Sequence, residues 1–174
     1  MVTGPSRSLA EAATPGSRKG GAMSAYDSTA DTLRHSRRVG ELMGRPIVEL
    51  VQRSTQHDLS KTETPELELF DEHTPALRGL TYGSDEYAAS LEALRPALEH
   101  HYAHNPHHPE HHADGVRGMT LVDLVEMLAD WRAATERHDT GDLGRSLEIN
   151  AARFHISPQL QQILRNTAEH YGWL

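Results

Sequence analysis

Histidine and aspartate are the residues of this chain whose spacing could support chemistry. The chain has 13 histidines, and seven of them lie between positions 100 and 112. A His-Asp dipeptide, His57-Asp58, stands earlier in the chain, and Asp130 follows the histidine-rich segment. Because there is no cysteine, any metal must be bound through nitrogen and oxygen atoms. Imidazoles combined with carboxylates suit Mn, Fe, Co, Ni, Zn or Mg, so the sequence predicts a site for one or two divalent metal ions.

The spacing of apolar residues indicates helices in the part of the chain that carries these side chains. From Asp27 onward apolar residues recur at helical intervals, without a convincing strand-like alternation. Residues 1–25 are rich in Gly, Ser, Pro and Ala, a composition typical of disorder. We therefore predict a disordered tail over residues 1–25 and one all-α domain over residues 26–174, a bundle of about six helices.

Two predicted helices lead to the His-Asp dipeptide. The first covers Ser28 to Met43, because Gly44 and Pro46 are typical of a helix end. His35 and Val39 share the apolar stripe of this helix, so we expect His35 to point inward. A single histidine on an apolar stripe is more often a hydrogen-bonded core residue than a ligand. The His-Asp pair and distant aspartate that follow it favour the ligand interpretation.

The histidine-rich segment begins on a helix. Ser84 is a favourable N-cap for a long helix, which Pro96 should kink or divide. His101 continues the apolar stripe of that helix and His100 does not. His101 is therefore the stronger candidate for the site, as a metal ligand or a catalytic residue.

The remaining histidines of the segment lie in a loop over residues 105–118, which Pro and Gly punctuate. His107 and His108 are equally consistent with a metal or catalytic site and with a solvated surface. His111 and His112 favour the surface interpretation. We take His107 as a candidate catalytic residue and His108 as a candidate ligand.

Two aspartates on the next helix are alternatives for the distant ligand. Thr120 and Asp123 have the spacing of a capping box, which gives Asp123 a structural role at the helix start. Asp130 has no such local role and is the predicted ligand. Two further helices are predicted, over residues 142–154 and from Ser157 onward.

Charge and hydropathy exclude several classes of partner. The formal net charge is -8, which argues against a protein that binds duplex nucleic acid through a basic face. No apolar run approaches membrane-spanning length and the N-terminus lacks the pattern of a secretory signal, so we expect a cytoplasmic protein. The sequence leaves the oligomeric state open, a homo-oligomer included. Lys61, close to the His-Asp pair, is either a surface cation or a contact for an anionic substrate.

The order His35, His57-Asp58, Asp130 resembles the pattern of the HD-domain superfamily of metal-dependent phosphohydrolases. The stretch His57-Asp58-Leu59-Ser60-Lys61 is similar to the His-Asp-(apolar)-Gly-Lys signature of several HD subfamilies, and this resemblance places Lys61 near the phosphate. The pair His100-His101 is similar to an extra histidine pair of two-metal members. The resemblance thus implies an HD-like fold with His35, His57, Asp58 and Asp130 as ligands, and a second ion held by His101 together with His107 or His108.

More narrowly, residues 31–167 resemble a family of uncharacterised proteins common in phages and bacteria. The shared landmarks are His57-Asp58-Leu59-Ser60-Lys61, Tyr82-Gly83-Ser84 before Glu86-Tyr87, Asn105-Pro106-His107-His108, Met119-Thr120-Leu121-Val122-Asp123 and Asp130-Trp131. That family implies no activity, and the wider superfamily implies its chemistry only by analogy.

The function expected from these residues is hydrolysis of a nucleotide or another small phosphate ester. Ions held by the predicted ligands would lower the pKa of a water molecule, Lys61 would neutralise the phosphate, and His101 or His107 could protonate the leaving oxygen. Two alternatives stay open. One is oxygen-dependent oxidation at an HD-like di-iron centre, and the other is a non-catalytic accessory protein that a metal stabilises.

Overall fold

Helices form all the regular secondary structure in the residues that the computed structural model describes, which are 26–77, 85–137 and 141–174. The all-α fold class predicted from the sequence is confirmed. The predicted tail over residues 1–25 and the predicted N-cap at Ser84 lie outside the described residues. The described α-helices are α1 (Ser28–Gln56), α2 (Glu66–Leu77), α3 (Asp85–Ala93), α4 (Arg95–His104), α5 (Leu121–Thr135), α6 (Leu143–Arg153) and α7 (Pro158–His170).

The chain divides into two units, residues 1–39 and 40–174. The described part of the first unit is the beginning of α1, where Asp27 Oδ1 accepts the N–H groups of Thr29 and Ala30 and so caps the helix. His35 lies in this unit and is exposed, so its predicted inward orientation is wrong. An amphipathic stripe predicts burial only where another element covers it, and α1 has no buried residue.

The predicted break between two helices at Gly44 and Pro46 is also wrong, because α1 continues through Pro46 to Gln56. Proline removes one main-chain hydrogen bond from a helix interior. The apolar residues before and after Pro46 nevertheless follow one helical register, from Val39 through Ile47 to Val51. The continuous helix therefore carries the chain directly to the His-Asp dipeptide.

Two other prolines mark helix boundaries. Pro65 immediately precedes α2, a helix that is not among those predicted from the sequence, and Glu66 and Glu68 supply acidic side chains in its first turn. The predicted division at Pro96 is confirmed, since α3 ends at Ala93 and α4 begins at Arg95. Pro96 stands in the first turn of α4, where its missing N–H removes no helical hydrogen bond.

The last three helices form a hydrophobic core. The buried core residues are Met127, Leu128, Leu143, Leu147, Ile156, Leu164 and Ala168. None of the described helices has the combination of length and apolar character needed to cross a membrane.

The capping box predicted at the start of α5 is confirmed. Thr120 Oγ1 accepts the Asp123 N–H at 3.2 Å, and Asp123 Oδ2 accepts the Thr120 N–H at 2.7 Å.

Candidate metal centre

The backbone turns sharply at the His-Asp dipeptide, directly after α1. Asp58 has a φ of 58°, in the left-handed region that aspartate tolerates better than most residues, and a 3₁₀ turn over Leu59–Thr62 follows it. Neighbouring side chains on a continuous helix diverge by about 100°. Here the turn lets the side chains of His57 and Asp58 face the same interior region, with His57 Nε2 3.6 Å from Asp58 Oδ2.

Asp58 lies at the centre of the site. Its Oδ1 atom is 3.2 Å from His101 Nε2 and 3.5 Å from His107 Nε2, and both rings are only 1% exposed. Its Oδ2 atom is 2.6 Å from Lys61 Nζ. His101 comes from α4 and His107 from the loop after it, so three separate segments meet at this carboxylate.

Two atoms of this cluster are buried without a hydrogen-bond partner among the described residues: Asp58 Oδ1 and His107 Nε2. The His101 Nε2 atom is near Asp58 Oδ1 but outside hydrogen-bond geometry, so it does not satisfy that oxygen. Two ligand atoms roughly 2.1 Å from one ion lie roughly 3 to 3.5 Å apart. The 3.5 Å between the two unpartnered atoms fits a shared cation.

Three overlapping groups of side chains could hold a metal ion, each with one ligand atom per residue and all of these atoms within 4.8 Å of one another. The inner group is Asp58, His101, His107 and His108. The outer group is His57, Asp58 and Asp130. The third group is His57, His107 and Glu126.

Asp58 belongs to both the inner group and the outer group. In the inner group, His101 Nε2 and His108 Nε2 are 3.0 Å apart. In the outer group, His57 Nε2 is 3.5 Å from Asp130 Oδ1. The described part of the chain can therefore hold a metal ion, and a shared carboxylate would let two ions lie side by side.

The carboxylates of the site are ionised. Burial alone raises the pKa of Asp58, but the His101 ring and the Lys61 ammonium outweigh burial and hold that pKa well below its usual range. In the same way, His107 and His57 overcome burial and lower the pKa of Glu126. Burial also raises the pKa of Asp130, and its contact with His57 lowers it overall. A cluster of anionic oxygens is the electrostatic setting that a divalent cation requires.

Two histidines of the site have strongly shifted pKa values, in opposite directions. Contacts with Asp130 and Glu126 raise the pKa of His57 to about 10, against the opposing effect of burial. Burial, reinforced by the neighbouring His107 and His101 rings, lowers the pKa of His108 to about 3. Near neutral pH, His108 is thus ready to bind a metal ion, whereas His57 must first lose a proton.

This difference predicts proton release on metal binding. Because a metal ion binds only an unprotonated nitrogen, metal binding at the outer group should release about one proton per chain at pH 8. The affinity of this group for the metal ion should rise about tenfold per pH unit up to about pH 10, the pKa of His57. Calorimetric titration in two buffers of different ionisation enthalpy measures this number. The His57→Gln variant is the control and should release no proton at that group. Release near zero in the wild-type protein would contradict His57 as a ligand.

The structure brings together most of the residues that the sequence singled out. His57, Asp58, His101, His108 and Asp130 all fall in the inner and outer groups, as does His107. Lys61 contacts Asp58 directly.

Other sequence candidates lie outside these groups. His35 is exposed in the first unit and belongs to none of the three groups. His111 Nδ1 donates to the Tyr102 carbonyl oxygen, and His112 Nε2 donates to that of Pro106. The side chains of these two loop histidines thus stabilise the main chain through hydrogen bonds.

Three residues of the site were not predicted from the sequence. Glu126 lies four residues before Asp130 on α5, a helical spacing that could have indicated a shared face. Arg53 lies near the end of α1, four residues before His57, and contacts both Asp123 and Glu126. Glu66 gave no signal, because α2, the helix that carries it, was not predicted from the sequence.

A cavity of about 440 Å³ gives access to the outer group. It lies between the end of α1 and α5, with apolar walls that include Leu50, Val125 and Ala129. His57 and Asp130 also line it, and their side chains are 30% and 22% exposed, far more than those of His101 and His107. A small molecule could therefore approach the centre from the side of the outer group.

Comparison with known proteins adds one finding. A family model matches residues 24–170, a range that includes every residue of the three ligand groups, and the family is described as one of unknown function. No curated protein matches the chain, and no solved structure matches it.

Proposed function

We propose that this chain, which belongs to the family of unknown function DUF5662, is a metal-dependent hydrolase of a nucleotide or another small phosphate ester. The observation that carries the proposal is the pair of unpartnered buried atoms, Asp58 Oδ1 and His107 Nε2, at the meeting point of two potential ligand groups. The reaction class, hydrolysis of a phosphate ester, is inferred by analogy with HD domains, in which His-Asp and a distant Asp occur in the same order as His57-Asp58 and Asp130.

The inner and outer groups would hold two divalent ions with Asp58 between them. Such ions lower the pKa of a bound water molecule and neutralise the charge on a phosphate. The donor set consists of imidazole nitrogens and carboxylate oxygens, which suits Mn, Fe, Co, Ni or Zn better than an all-oxygen site would. We therefore expect activity to depend on one of these transition metals more than on Mg.

The burial of His101 and His107 supports a ligand role for both. A general acid must reach the leaving oxygen of the substrate, and these two rings are 1% exposed and face Asp58. The low pKa of His108 leaves that ring without a proton to donate near pH 7. The catalytic role that the sequence suggested for His101 or His107 thus becomes a role in holding metal.

Lys61 is the side chain that would meet the phosphate. It is 35% exposed, pairs with Asp58 at 2.6 Å and lies 5.7 Å from the centre of the Phe70 ring. A partly exposed ammonium on a flexible stem can move from Asp58 to an incoming anion. Because the protein carries a net charge of -8, such a local cation would offset the repulsion between protein and substrate.

The test of this function combines metal analysis with a phosphate-release screen on nucleotides and small phosphomonoesters. Mn, Co, Ni and Mg are added separately to metal-free protein, and we expect release with at least one transition metal. Asp58→Asn is the inactive control. Bound metal without any phosphate release would sink the hydrolase proposal. Oxygen consumption with ferrous iron would then indicate an oxidation centre, and a raised melting temperature alone would indicate a stabilising metal.

Substitution of Lys61 separates substrate binding from metal binding. We expect Lys61→Met to raise the KM for a phosphate ester about tenfold, because a charged contact is lost. Metal affinity should stay equal or rise, since Asp58 loses a competing cation. The matched control is Arg137→Met, which removes an exposed cation outside the site. Steady-state kinetics with a metal titration measures both quantities, and an unchanged KM would contradict a phosphate contact at Lys61.

A further inference from the structure

We propose that Glu126 and Glu66 are positioning residues that hold the ligand histidines with their Nε2 atoms toward the cations. Glu126 serves both the inner group and the outer group, whereas Glu66 serves the inner group alone. The proposal depends on metal binding at these groups and not on phosphate hydrolysis, so it can be tested with metal ions as the only ligand.

Glu126 contacts one histidine of each group through a single oxygen. Its Oε1 atom is 2.9 Å from His57 Nδ1 and 3.3 Å from His107 Nδ1. The His57 contact is a hydrogen bond in which Nδ1 must donate, because a carboxylate can only accept. The negative oxygen beside His107 Nδ1 likewise favours the hydrogen on that nitrogen, and each neutral ring then presents its lone pair on Nε2. Those Nε2 atoms face Asp130 and Asp58, at 3.5 Å in each case. Glu126 thereby fixes the tautomer of both rings.

Glu66 fixes the tautomer of a third ring, that of His101. It is completely buried, and its Oε2 atom accepts from His101 Nδ1 at 2.8 Å and from Ser60 Oγ at 3.0 Å. Its Oε1 atom is 2.7 Å from His100 Nδ1. The His101 ring therefore turns its Nε2 atom to Asp58, within the inner group. Among the described residues Glu66 has no contact with an arginine or lysine, which makes its burial costly, and hydrogen bonds from two imidazoles and a hydroxyl offset that cost.

The alternative is that Glu126 itself binds a metal ion, together with His57 and His107. Two observations favour the positioning role. Glu126 Oε2 lies 3.2 Å from Arg53 Nη1, and this guanidinium would repel a second cation on that side. A metal on the Nδ1 side would also leave His107 Nε2 buried with no partner among the described residues.

The experiment compares three isosteric variants by cobalt titration of metal-free protein, read from the visible absorption of bound Co(II) and from metal analysis. We expect two classes of ion in the wild-type protein. Glu66→Gln should weaken one class about 10- to 100-fold, and Glu126→Gln should weaken both by a similar factor. Glu49→Gln is the matched control, because Glu49 pairs with Arg53 at 2.8 Å and should leave both classes unchanged.

Several outcomes would overturn the proposal. These are a single class of ion in the wild-type protein, weakening of only one class in Glu126→Gln, or weakening of both classes in Glu66→Gln. If Glu66→Gln does not fold, Ser60→Ala replaces it, since it removes one hydrogen bond to Glu66 Oε2. That variant should weaken the same single class by a smaller factor and shift its Co(II) spectrum. An effect on both classes or on neither would count against the proposal.

Discussion

We expect Asp58→Asn to abolish metal binding at both the inner group and the outer group. Its carboxylate is shared by these groups, and loss of a shared anionic ligand should weaken each of them by about 100-fold or more. Asparagine is the appropriate replacement because Asp58 has a φ of 58°, a conformation that asparagine adopts readily. Alanine would add a backbone strain of roughly 1 kcal/mol to the result.

The measurement is metal content after equilibration with Mn, Co or Zn, beside circular dichroism and the melting temperature of the metal-free protein. Helical content should match that of the wild-type protein, because Asp58 follows α1 and is not one of the described residues that form the hydrophobic core. Asp114→Asn serves as the control, since Asp114 is an exposed aspartate at the start of another 3₁₀ turn. Wild-type metal stoichiometry in Asp58→Asn would refute the assignment of the centre.

The sequence was most informative where local chemistry determines the outcome. Thr120 and Asp123 form the capping box that their spacing predicts, and the next two helices begin where they were predicted to begin, after the N-caps Asp142 and Ser157. These contacts lie within a few residues of each other, so no knowledge of tertiary structure is needed to predict them.

Features that depend on tertiary contacts could not be predicted in this way. His35 lies on a helical stripe, but the sequence does not show whether another element covers that stripe. Pro46 and Pro96 give the same local signal, yet only Pro96 stands where a helix begins. Glu66 reaches His101 across 35 positions of the chain, a contact with no periodicity to indicate it.

The candidate ligands fall between these two extremes. His57, Asp58 and Asp130 were predicted as ligands from residue type and order. Their convergence depends on the left-handed turn at Asp58 and on α5 lying beside the end of α1, and Arg53 ties these helices through its pair with Asp123 at 2.6 Å. The sequence therefore supplied candidate atoms, while the fold determined which of them could share an ion.

The two aspartates of α5 should respond oppositely to removal of their charge. Asp130→Asn should abolish binding at the outer group and the activity that depends on it, since this carboxylate faces His57 Nε2 at 3.5 Å. Its metal-free stability should change little, because the variant loses a contact with His57 but also loses repulsion from Asp58. The inner group lacks Asp130 and should keep its ion.

Asp123→Asn should instead cost stability on the order of 1 to 2 kcal/mol, because Asp123 is 2% exposed, completes the capping box and pairs with Arg53. For a domain of this size that corresponds to a fall in melting temperature of roughly 2 to 8 °C. Metal affinity should largely persist, since Glu126 still contacts Arg53 and both ligand histidines. Calorimetric metal titration beside thermal melting of both metal-free variants distinguishes the two roles. Loss of metal in Asp123→Asn with unchanged stability, together with metal retained in Asp130→Asn, would move the ligand to the start of α5 and exclude Asp130 from the centre.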